Sequence, residues 1–376
     1  MTAARILEDR LRGRLERLRN KDRFRKLISR SGIDLSSNDY LGMASHPRVK
    51  EAMIRALDDD IPSGSTGSRL LRGNAPEHEI LEKQLALLEH RQAALIFNSG
   101  YDANVGVLST LCGASDFIFS DAYIHASAID GIRASGATRH IFDHNDMDHL
   151  ESLLKQHSGG RSRFIVVESV YSMDGDLAPL HKLTELAKQY GALLIVDEAH
   201  ATGVFGPDGA GLCARDGIEP FLSIHTCGKA WGSFGAFVAC SEIVRDFLVN
   251  QCRRFIFTTA LPPLLPIQWQ TALEIIRNES WRSERALSLA ARFRQEMKGI
   301  ADTGQSKSQI VPLICGSDAA ALKAAEHCQQ AGFDIRAIRP PTVPVGTARL
   351  RIAFNALLTD DDLERLIQCC RSFYGG

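Results

Sequence analysis

The amino-acid sequence predicts an α/β fold built on a largely parallel sheet. Between about residues 76 and 250, segments of helical periodicity alternate with short apolar runs, of which 93–97 and 192–197 are the clearest. A strand that is apolar along its whole length is typical of a sheet that helices cover on both faces. Pro179 and Gly191 bound one of the helices, because proline favours helix starts and glycine favours helix ends. Further strands are predicted at 117–120, 163–168, 222–226 and 235–240.

The pattern changes after the proline-rich stretch at 261–266. A helix-rich span near 264–300 leads to a smaller unit, with predicted strands near 309–314, 333–338 and 348–353. A chain of 376 residues is long enough for two or three domains. We therefore predict an N-terminal helical arm (1–40), a large domain (41–270) and a smaller C-terminal α+β domain (271–376).

The first thirty residues are rich in arginine, and Leu7, Leu11, Leu15 and Leu18 recur in them at helical spacing. A transit peptide is one interpretation, but acidic residues such as Glu8 do not fit that type of segment. We predict instead an amphipathic helix that docks on the protein and leaves its basic face in solvent.

Composition narrows the class of function. The formal net charge is −1 and no basic stripe is present, which argues against nucleic-acid binding. No run of eighteen apolar residues suggests a membrane span, and the N-terminus lacks the apolar core of a secretion signal. The nine cysteines include no C-x-x-C pair, which is typical of reduced thiols in a cytoplasmic protein. The sequence thus favours small-molecule chemistry, with no metal site expected.

Asp197 lies at the end of a predicted buried strand, in the segment 193–200. Open α/β sheets bind ligands at the carboxyl ends of their strands. A carboxylate there can pair with the protonated ring nitrogen of a cofactor, and the pair makes the ring an electron sink. The alternative is a strand-ending aspartate that caps the following helix.

The letters Asp-Glu-Ala-His at 197–200 also match a motif of helicase-type ATPases. That function requires an upstream phosphate-binding loop of the form G-x-x-x-x-G-K-[ST]. The only Gly-Lys pair in the chain is Gly228-Lys229, which is downstream and is followed by Ala230. The ATPase interpretation is therefore disfavoured.

Lys229 follows a short predicted strand and lies between glycines. A lysine kept out of bulk water loses basicity and becomes a usable nucleophile and base. An ordinary surface lysine is the alternative. One crossover separates Asp197 from Lys229 in the sequence, so the two residues can converge on neighbouring strand ends.

Weaker signals lie in turns. In 98–104 a strand runs through glycine into a helix, so free backbone N–H groups can face a phosphate. His125 follows another strand and could stack on an aromatic ring, or it could be structural. His144 and His149 suggest a metal site, but we favour a turn and helix cap.

Together these motifs resemble the α-oxoamine synthase family of fold-type I enzymes that use pyridoxal 5′-phosphate (PLP). The resemblance implies a PLP-dependent transferase with a mostly parallel seven-stranded sheet in the large domain and a smaller C-terminal α+β domain. The matching segments are 36–42, 67–70, the turn at Asn98, 172–176, 197–203, the Lys229 loop and 347–351.

The resemblance also implies residue roles. Lys229 would form the Schiff base and later move protons, Asp197 would pair the pyridine nitrogen, and His125 would stack on the ring. The remaining expected contacts are Glu168, Ser172 and His200 beside the ring, Gly100, Tyr101 and Thr226 at the phosphate, Thr258 and Thr259 at the phosphate of the other subunit of a homodimer, Asn38 and Arg351 at the amino-acid carboxylate, and Thr342 and Arg25 at the acyl substrate.

The run Arg339-Pro340-Pro341-Thr342 is similar to the branch of the family that condenses L-alanine with a pimeloyl thioester in biotin biosynthesis. The thiol carrier is left open between coenzyme A and an acyl carrier protein. A sister activity that condenses glycine with acetyl-CoA is the nearest alternative. A partner subunit without catalysis is a second alternative, against which the presence of both Lys229 and Asp197 argues.

Overall fold

The computed structural model describes residues 2–375. The strands are β1 Ile33–Asp34, β2 Ala93–Phe97, β3 Phe117–Asp121, β4 Thr138–Phe142, β5 Arg163–Glu168, β6 Leu193–Asp197, β7 Leu222–Thr226, β8 Ala236–Cys240, β9 Ile310–Gly316, β10 Phe333–Asp334, β11 Ala337–Ile338 and β12 Ala348–Ala353. The helices are α1 Ala3–Arg19, α2 Pro47–Asp58, α3 Pro76–Leu88, α4 Gly100–Leu111, α5 Ala126–Ser135, α6 Met147–Gln156, α7 Leu180–Tyr190, α8 Leu212–Arg215, α9 Glu242–Gln251, α10 Arg253–Ile256, α11 Leu264–Asn278, α12 Trp281–Met297, α13 Asp318–Gln330 and α14 Asp360–Tyr374. Short 3₁₀ turns cover Met43–Ser45 and Pro207–Gly209.

A seven-stranded sheet forms the centre of the molecule, in the order β2-β8-β7-β6-β5-β3-β4. Only β8 runs against its neighbours, and the other adjacent pairs are parallel. The predicted α/β class and mostly parallel sheet are therefore confirmed. Successive residues of β5 alternate between two apolar cores: Phe164 and Val166 belong to one, Ile165 and Val167 to the other. Both faces of the sheet are thus buried, which explains the continuous apolar runs.

The strand β4 was not predicted. It lies at the edge of the sheet, and of its residues Thr138–Phe142 only Phe142 is buried. An edge strand with mixed burial carries polar residues and lacks the continuous apolar run used to identify the others. The predicted ends of α7 are confirmed, since Pro179 precedes its first residue and Gly191 ends it with a φ of 61°.

The C-terminal part contains a three-stranded antiparallel sheet in the order β11-β12-β9. It has its own apolar core, which includes Phe293, Leu350 and Leu363. The predicted strand at 333–338 is divided into β10 and β11, and β10 pairs in parallel with β1 from the N-terminal arm. The proposed domain boundaries remain a prediction.

The helix predicted in the N-terminal arm forms as α1, but the expectation that it docks on the chain is wrong. No residue of α1 is buried, and Leu7, Leu11, Leu15 and Leu18 are 41–45% exposed. Leucines at helical spacing indicate an amphipathic helix without indicating what covers its apolar face.

Candidate active site

Three neighbouring strands, β5, β6 and β7, end side by side at one edge of the large sheet. Glu168 and Asp197 are register partners at the ends of β5 and β6, and Thr226 ends β7. They open into a cavity of about 310 Å³. The cavity is lined by Asn38, Ser99, Gly100, Tyr101, Asn104, His125, Ser127, Glu168, Asp197, Ala199, His200, Thr226, Gly228, Lys229, Phe234 and Gly235. Most of the predicted cofactor contacts therefore meet in one place.

Lys229 reaches this cavity from the loop after β7. Burial lowers the pKa of its amine to about 8, although the nearby carboxylates of Asp197 and Glu168 act to raise it. The amine is consequently far less basic than that of an exposed lysine. An unprotonated amine is the form that attacks a carbonyl group, so the environment activates Lys229 as a nucleophile.

Asp197 is held at both carboxylate oxygens. The side-chain amide of Asn104 donates to Oδ2 at 2.7 Å, and the backbone N–H of Ala199 donates to Oδ1 at 2.9 Å. Asn104 was not among the predicted site residues. A polar residue on the otherwise apolar buried face of α4 was the available signal in the sequence.

Glu168 lies beside Asp197 with 3% of its surface exposed. Burial, followed by the charge of Asp197, raises the pKa of Glu168 well above its usual range. Its Oε2 accepts a hydrogen bond from the backbone N–H of Ser172, while Oε1 has no partner among residues 2–375. The raised pKa favours the neutral form of Glu168, and its Oε1 is left for a bound ligand.

The start of α4 forms another part of the cavity wall. Ser99 caps this helix by accepting the backbone N–H of Asp102 at 3.0 Å. A Cβ atom on Gly100 would come within 2.5 Å of Thr226 Cγ2, so only glycine leaves this space open. Unpaired N–H groups and the helix dipole favour an anion such as phosphate at this position.

Two histidines face the cavity as neutral rings. His125 precedes α5, and its Nδ1 accepts the backbone N–H of Ser127 at 3.2 Å. Burial lowers the pKa of His125. His200 lies 2.7 Å from the hydroxyl of Tyr40, and burial, followed by the charge of Lys229, lowers the pKa of His200 well below its usual range.

Arg351 lies on β12 and is 7% exposed. It donates to Asn38 Oδ1 at 3.0 Å, to the Tyr40 hydroxyl at 3.2 Å and to the carbonyl of Ser172 at 2.6 Å. The structure thus brings the predicted pair Asn38 and Arg351 together. Tyr40 was missed as a site residue, although it belongs to the segment 36–42 that carries part of the resemblance.

A second cavity of about 600 Å³ adjoins the first, and His125 lines both. Ser172 and Thr342 lie here and do not line the first cavity. Arg25 donates to the Thr342 hydroxyl at 3.0 Å, which places the N-terminal arm beside this space. The lining residues are Ala122, Tyr123, Ile124, His125, Ala126, Ile129, Tyr171, Ser172, Met173, Asp174, Pro341, Thr342, Val343 and Pro344.

Thr258 and Thr259 do not line the first cavity of their own chain. The side chain of Asn98 donates to the Thr258 hydroxyl at 2.9 Å and to the Thr259 carbonyl at 2.7 Å. Their contact with the phosphate of another subunit stays a prediction. The favoured turn and cap near His144 is confirmed, since Asp146 accepts the backbone N–H of His149 at the start of α6.

Comparison with known proteins identifies the family. The sequence model of aminotransferase class I and II matches residues 30–369. An 8-amino-7-oxononanoate synthase of Alkalilimnicola ehrlichii is 43% identical over 346 residues, which cover 90% of this chain and 87% of that protein. A protein of the same name from Geobacter sulfurreducens is 40% identical over 373 residues, covering 94% and 95% of the two chains. This chain belongs to the 8-amino-7-oxononanoate synthase family, within aminotransferase class I and II.

Solved structures of two kinds share the fold of this 8-amino-7-oxononanoate synthase family member. A serine palmitoyltransferase from S. paucimobilis has a TM-score of 0.90 at 29% identity, covering 97% of this chain and 96% of that one. An 8-amino-7-oxononanoate synthase from Francisella tularensis has a TM-score of 0.79 at 28% identity, covering 91% and 97%. The fold-type I assignment is confirmed. Within residues 2–375, no helix is both long and apolar enough to cross a membrane.

Proposed function

We propose that the chain is a PLP-dependent acyltransferase that condenses L-alanine with a pimeloyl thioester. The products are 8-amino-7-oxononanoate, CO2 and a free thiol. One observation carries the proposal: a single cavity holds Lys229 with a pKa of about 8 and Asp197 with both oxygens hydrogen-bonded. Relatives named 8-amino-7-oxononanoate synthase extend over nearly the whole chain and support this choice of reaction.

The residues present fit PLP. Asp197 would hold the pyridine nitrogen, and the unpartnered Glu168 Oε1 offers a buried polar atom beside it. The start of α4 and the open space at Gly100 suit the phosphate. When bound, the cofactor supplies an electron sink for the bonds of the amino-acid Cα.

Lys229 would both hold the cofactor and move the proton. With a pKa of about 8, a useful fraction of its amine is unprotonated near neutral pH and accepts a proton from the amino-acid Cα. The neutral rings of His125 and His200 keep additional positive charge away from the amine. Ser172 and His200 remain proposed partners of the phenolic oxygen.

Arg351 would bind the carboxylate of L-alanine together with Asn38. Its three observed hydrogen bonds use the Nε–H and the two Nη2–H donors. The two Nη1–H donors are the ones that a guanidinium group can then offer to a carboxylate. Tyr40 would hold Arg351 in place from the buried side.

The second cavity would take the acyl chain. Apolar side chains such as Ile124, Ile129 and Val343 line it, and Thr342 with Arg25 lies beside it. Each buried methylene contributes about 0.8 kcal/mol, so such a space favours a longer acyl chain over an acetyl group. Arg25 would face the distal carboxylate of pimelate. The thiol of the thioester substrate belongs either to coenzyme A or to an acyl carrier protein, and the proposal covers both.

The working molecule would be a cytoplasmic homodimer with shared active sites. One exposed apolar side chain lies where this interface is proposed: Phe257 is 70% exposed. Phe257 directly precedes Thr258 and Thr259, the proposed phosphate contacts to the other subunit. The free cysteines suit a reducing compartment.

The cofactor assignment is tested by reduction. Purified protein should be yellow, and borohydride should fix the cofactor to the peptide that contains Lys229. Protein with Lys229→Ala is the control and should carry no fixed label. Mass spectrometry that finds the label on another lysine would contradict the assignment.

The substrate assignment is tested by parallel assays. L-alanine with pimeloyl-CoA, or with pimeloyl acyl carrier protein, should release CO2 and thiol much faster than glycine with acetyl-CoA. A third pair, L-serine with palmitoyl-CoA, is included because serine palmitoyltransferases share the fold closely. Preference for either rival pair would reassign the substrate, whereas absence of cofactor and of all three activities would indicate a partner subunit without catalysis.

A further inference from the structure

His144 lies between two buried carboxylates. Its Nδ1 is 2.9 Å from Asp121 Oδ1 and its Nε2 is 2.8 Å from Asp176 Oδ2. Asp121 is fully buried and Asp176 is 6% exposed. Carboxylates accept hydrogen bonds, so both ring nitrogens act as donors and the ring is an imidazolium. Burial acts to lower the pKa of His144, but its bonds to Asp121 and Asp176 raise it to about 10.

Asn145 bridges the same two carboxylates. Its backbone N–H donates to Asp121 Oδ2 at 2.9 Å, and its side-chain amide donates to Asp176 Oδ2 at 2.8 Å. Asn145 adopts a φ of 55°, a conformation that asparagine tolerates better than most residues. His144 and Asn145 thus form one bridge between two segments of the chain.

The two segments carry predicted site residues. Asp121 ends β3 and precedes His125 by four residues, while Asp176 follows Ser172 by four residues. The loop at Ser172 is closed on itself, since the Asp176 carbonyl accepts a backbone N–H from Tyr171 at 3.1 Å. His144 therefore holds the loop of His125 against the loop of Ser172.

The His144 ring also supports the wall of the second cavity. It stacks on Tyr123 with ring centres 4.4 Å apart and an angle of 20°, and it meets Tyr171 edge-on at 4.4 Å. Both tyrosines line that cavity. A cation against an aromatic ring contributes additional attraction when it is shielded from water.

We propose that His144 is a positioning residue for the acyl thioester: by bridging Asp121 and Asp176 it fixes the two loops and the two tyrosines that shape the second cavity. This inference rests on the proposed function, because that proposal assigns the cavity to the acyl chain. The two tyrosines that the His144 ring contacts line the second cavity and not the first, so we expect the larger effect of His144 on acyl binding.

The test is His144→Gln in the holoenzyme. We expect the KM for pimeloyl-CoA to rise about tenfold or more, while the KM for L-alanine changes less than about twofold. The yellow absorbance and the cofactor content should be retained. Hydrogen exchange should become faster in peptides covering 121–128 and 168–176. His149→Gln is the matched control, because His149 is 35% exposed and pairs with an exposed aspartate. This control variant should behave as the unmodified protein does.

A second variant separates positioning from stability. Adding Asp176→Asn to His144→Gln removes one of the carboxylates left without a cation, so it should recover thermal stability. The raised KM for pimeloyl-CoA should persist, because the contacts of the His144 ring with Asp121, Tyr123 and Tyr171 are still missing. Recovery of the KM in this double variant would overturn the proposal, as would a lower Tm in His144→Gln with an unchanged KM.

A binding measurement distinguishes this inference from the proposed function. Calorimetry with a pimeloyl-CoA thioether, which cannot react, should show the same loss of affinity in His144→Gln as the KM does. If the unmodified protein binds the thioether but prefers another substrate pair in turnover, only the proposed reaction fails. If the thioether binds equally to both proteins, the role of His144 is wrong.

Discussion

At the scale of single residues, the reactivity of the site depends on a buried amine. The proposed Schiff base forms from the unprotonated amine of Lys229, and the fraction of this form rises with pH through the pKa of about 8. We expect the rate at which apoprotein becomes yellow with added PLP to rise with pH and to level off above that value. Stopped-flow absorbance over a series of pH values measures this rate. A midpoint near the ordinary lysine value of 10.5 would show that Lys229 is not desolvated.

Asn104 should matter for catalysis through Asp197. The bond from Asn104 to Asp197 is 2.7 Å long and buried, and hydrogen bonds to charged groups contribute about 1.5–3 kcal/mol. Asn104→Ala should therefore lower kcat about ten- to a hundredfold, with cofactor retained. Asp197→Asn should lower kcat about a thousandfold or more.

Steady-state kinetics at measured cofactor occupancy tests this prediction. Asn250→Ala, an exposed asparagine at the end of α9, is the matched control and should have normal kcat. Normal turnover in Asn104→Ala would mean that the bond to Asp197 serves only the packing of α4.

At the scale of elements, the start of α4 and the end of β7 meet at the proposed phosphate site. Gly100→Ala would bring Cβ within 2.5 Å of Thr226 Cγ2, and overpacking of this kind costs about 1–3 kcal/mol. We expect the Kd for PLP to rise about ten- to a hundredfold. Thr226→Ser removes Cγ2 and keeps the hydroxyl, so the double variant should recover most of the affinity.

The unmodified protein, the two single variants and the double variant are each titrated with PLP at equilibrium. The four Kd values give the coupling energy between positions 100 and 226. If Gly100→Ala weakens PLP binding equally with and without Thr226→Ser, the clash with Thr226 Cγ2 does not cause the loss of affinity.

At the scale of the whole molecule, the proposed homodimer predicts complementation. Lys229→Ala should be inactive because its own cavity lacks the nucleophile. A Thr258→Ala/Thr259→Ala variant should be inactive because it cannot complete its partner's phosphate site. Hybrids of the two should regain activity, since one of their two sites has an intact Lys229 and receives both threonines from the other subunit.

The measurement is activity after the two variants are mixed, unfolded and refolded, with differently tagged chains to prove that hybrids form. Each variant refolded alone is the control. Hybrids without activity would mean that Thr258 and Thr259 act within their own chain, where they already hold Asn98.

The amino-acid sequence by itself determined the parts of this protein whose signals are local. Continuous apolar runs located β5 and β6, because the inner residues of these strands are buried on both faces of the sheet. Asp197 was found because it ends β6, and Lys229 because it lies in the loop after β7; parallel strands deliver their ends to one edge of the sheet. The roles of Thr258, Thr259 and Arg25 came from resemblance and remain predictions.

Only the tertiary structure decided which distant groups support these residues. Asn104 and Asp197 are 93 positions apart, Tyr40 and His200 are 160 apart, and His144 reaches Asp176 across 32 positions. Such contacts depend on the order of strands in the sheet, which helical and strand periodicity do not specify. The same reason explains α1: periodicity determined that it is a helix, whereas its exposed leucines became visible only once the chain was folded.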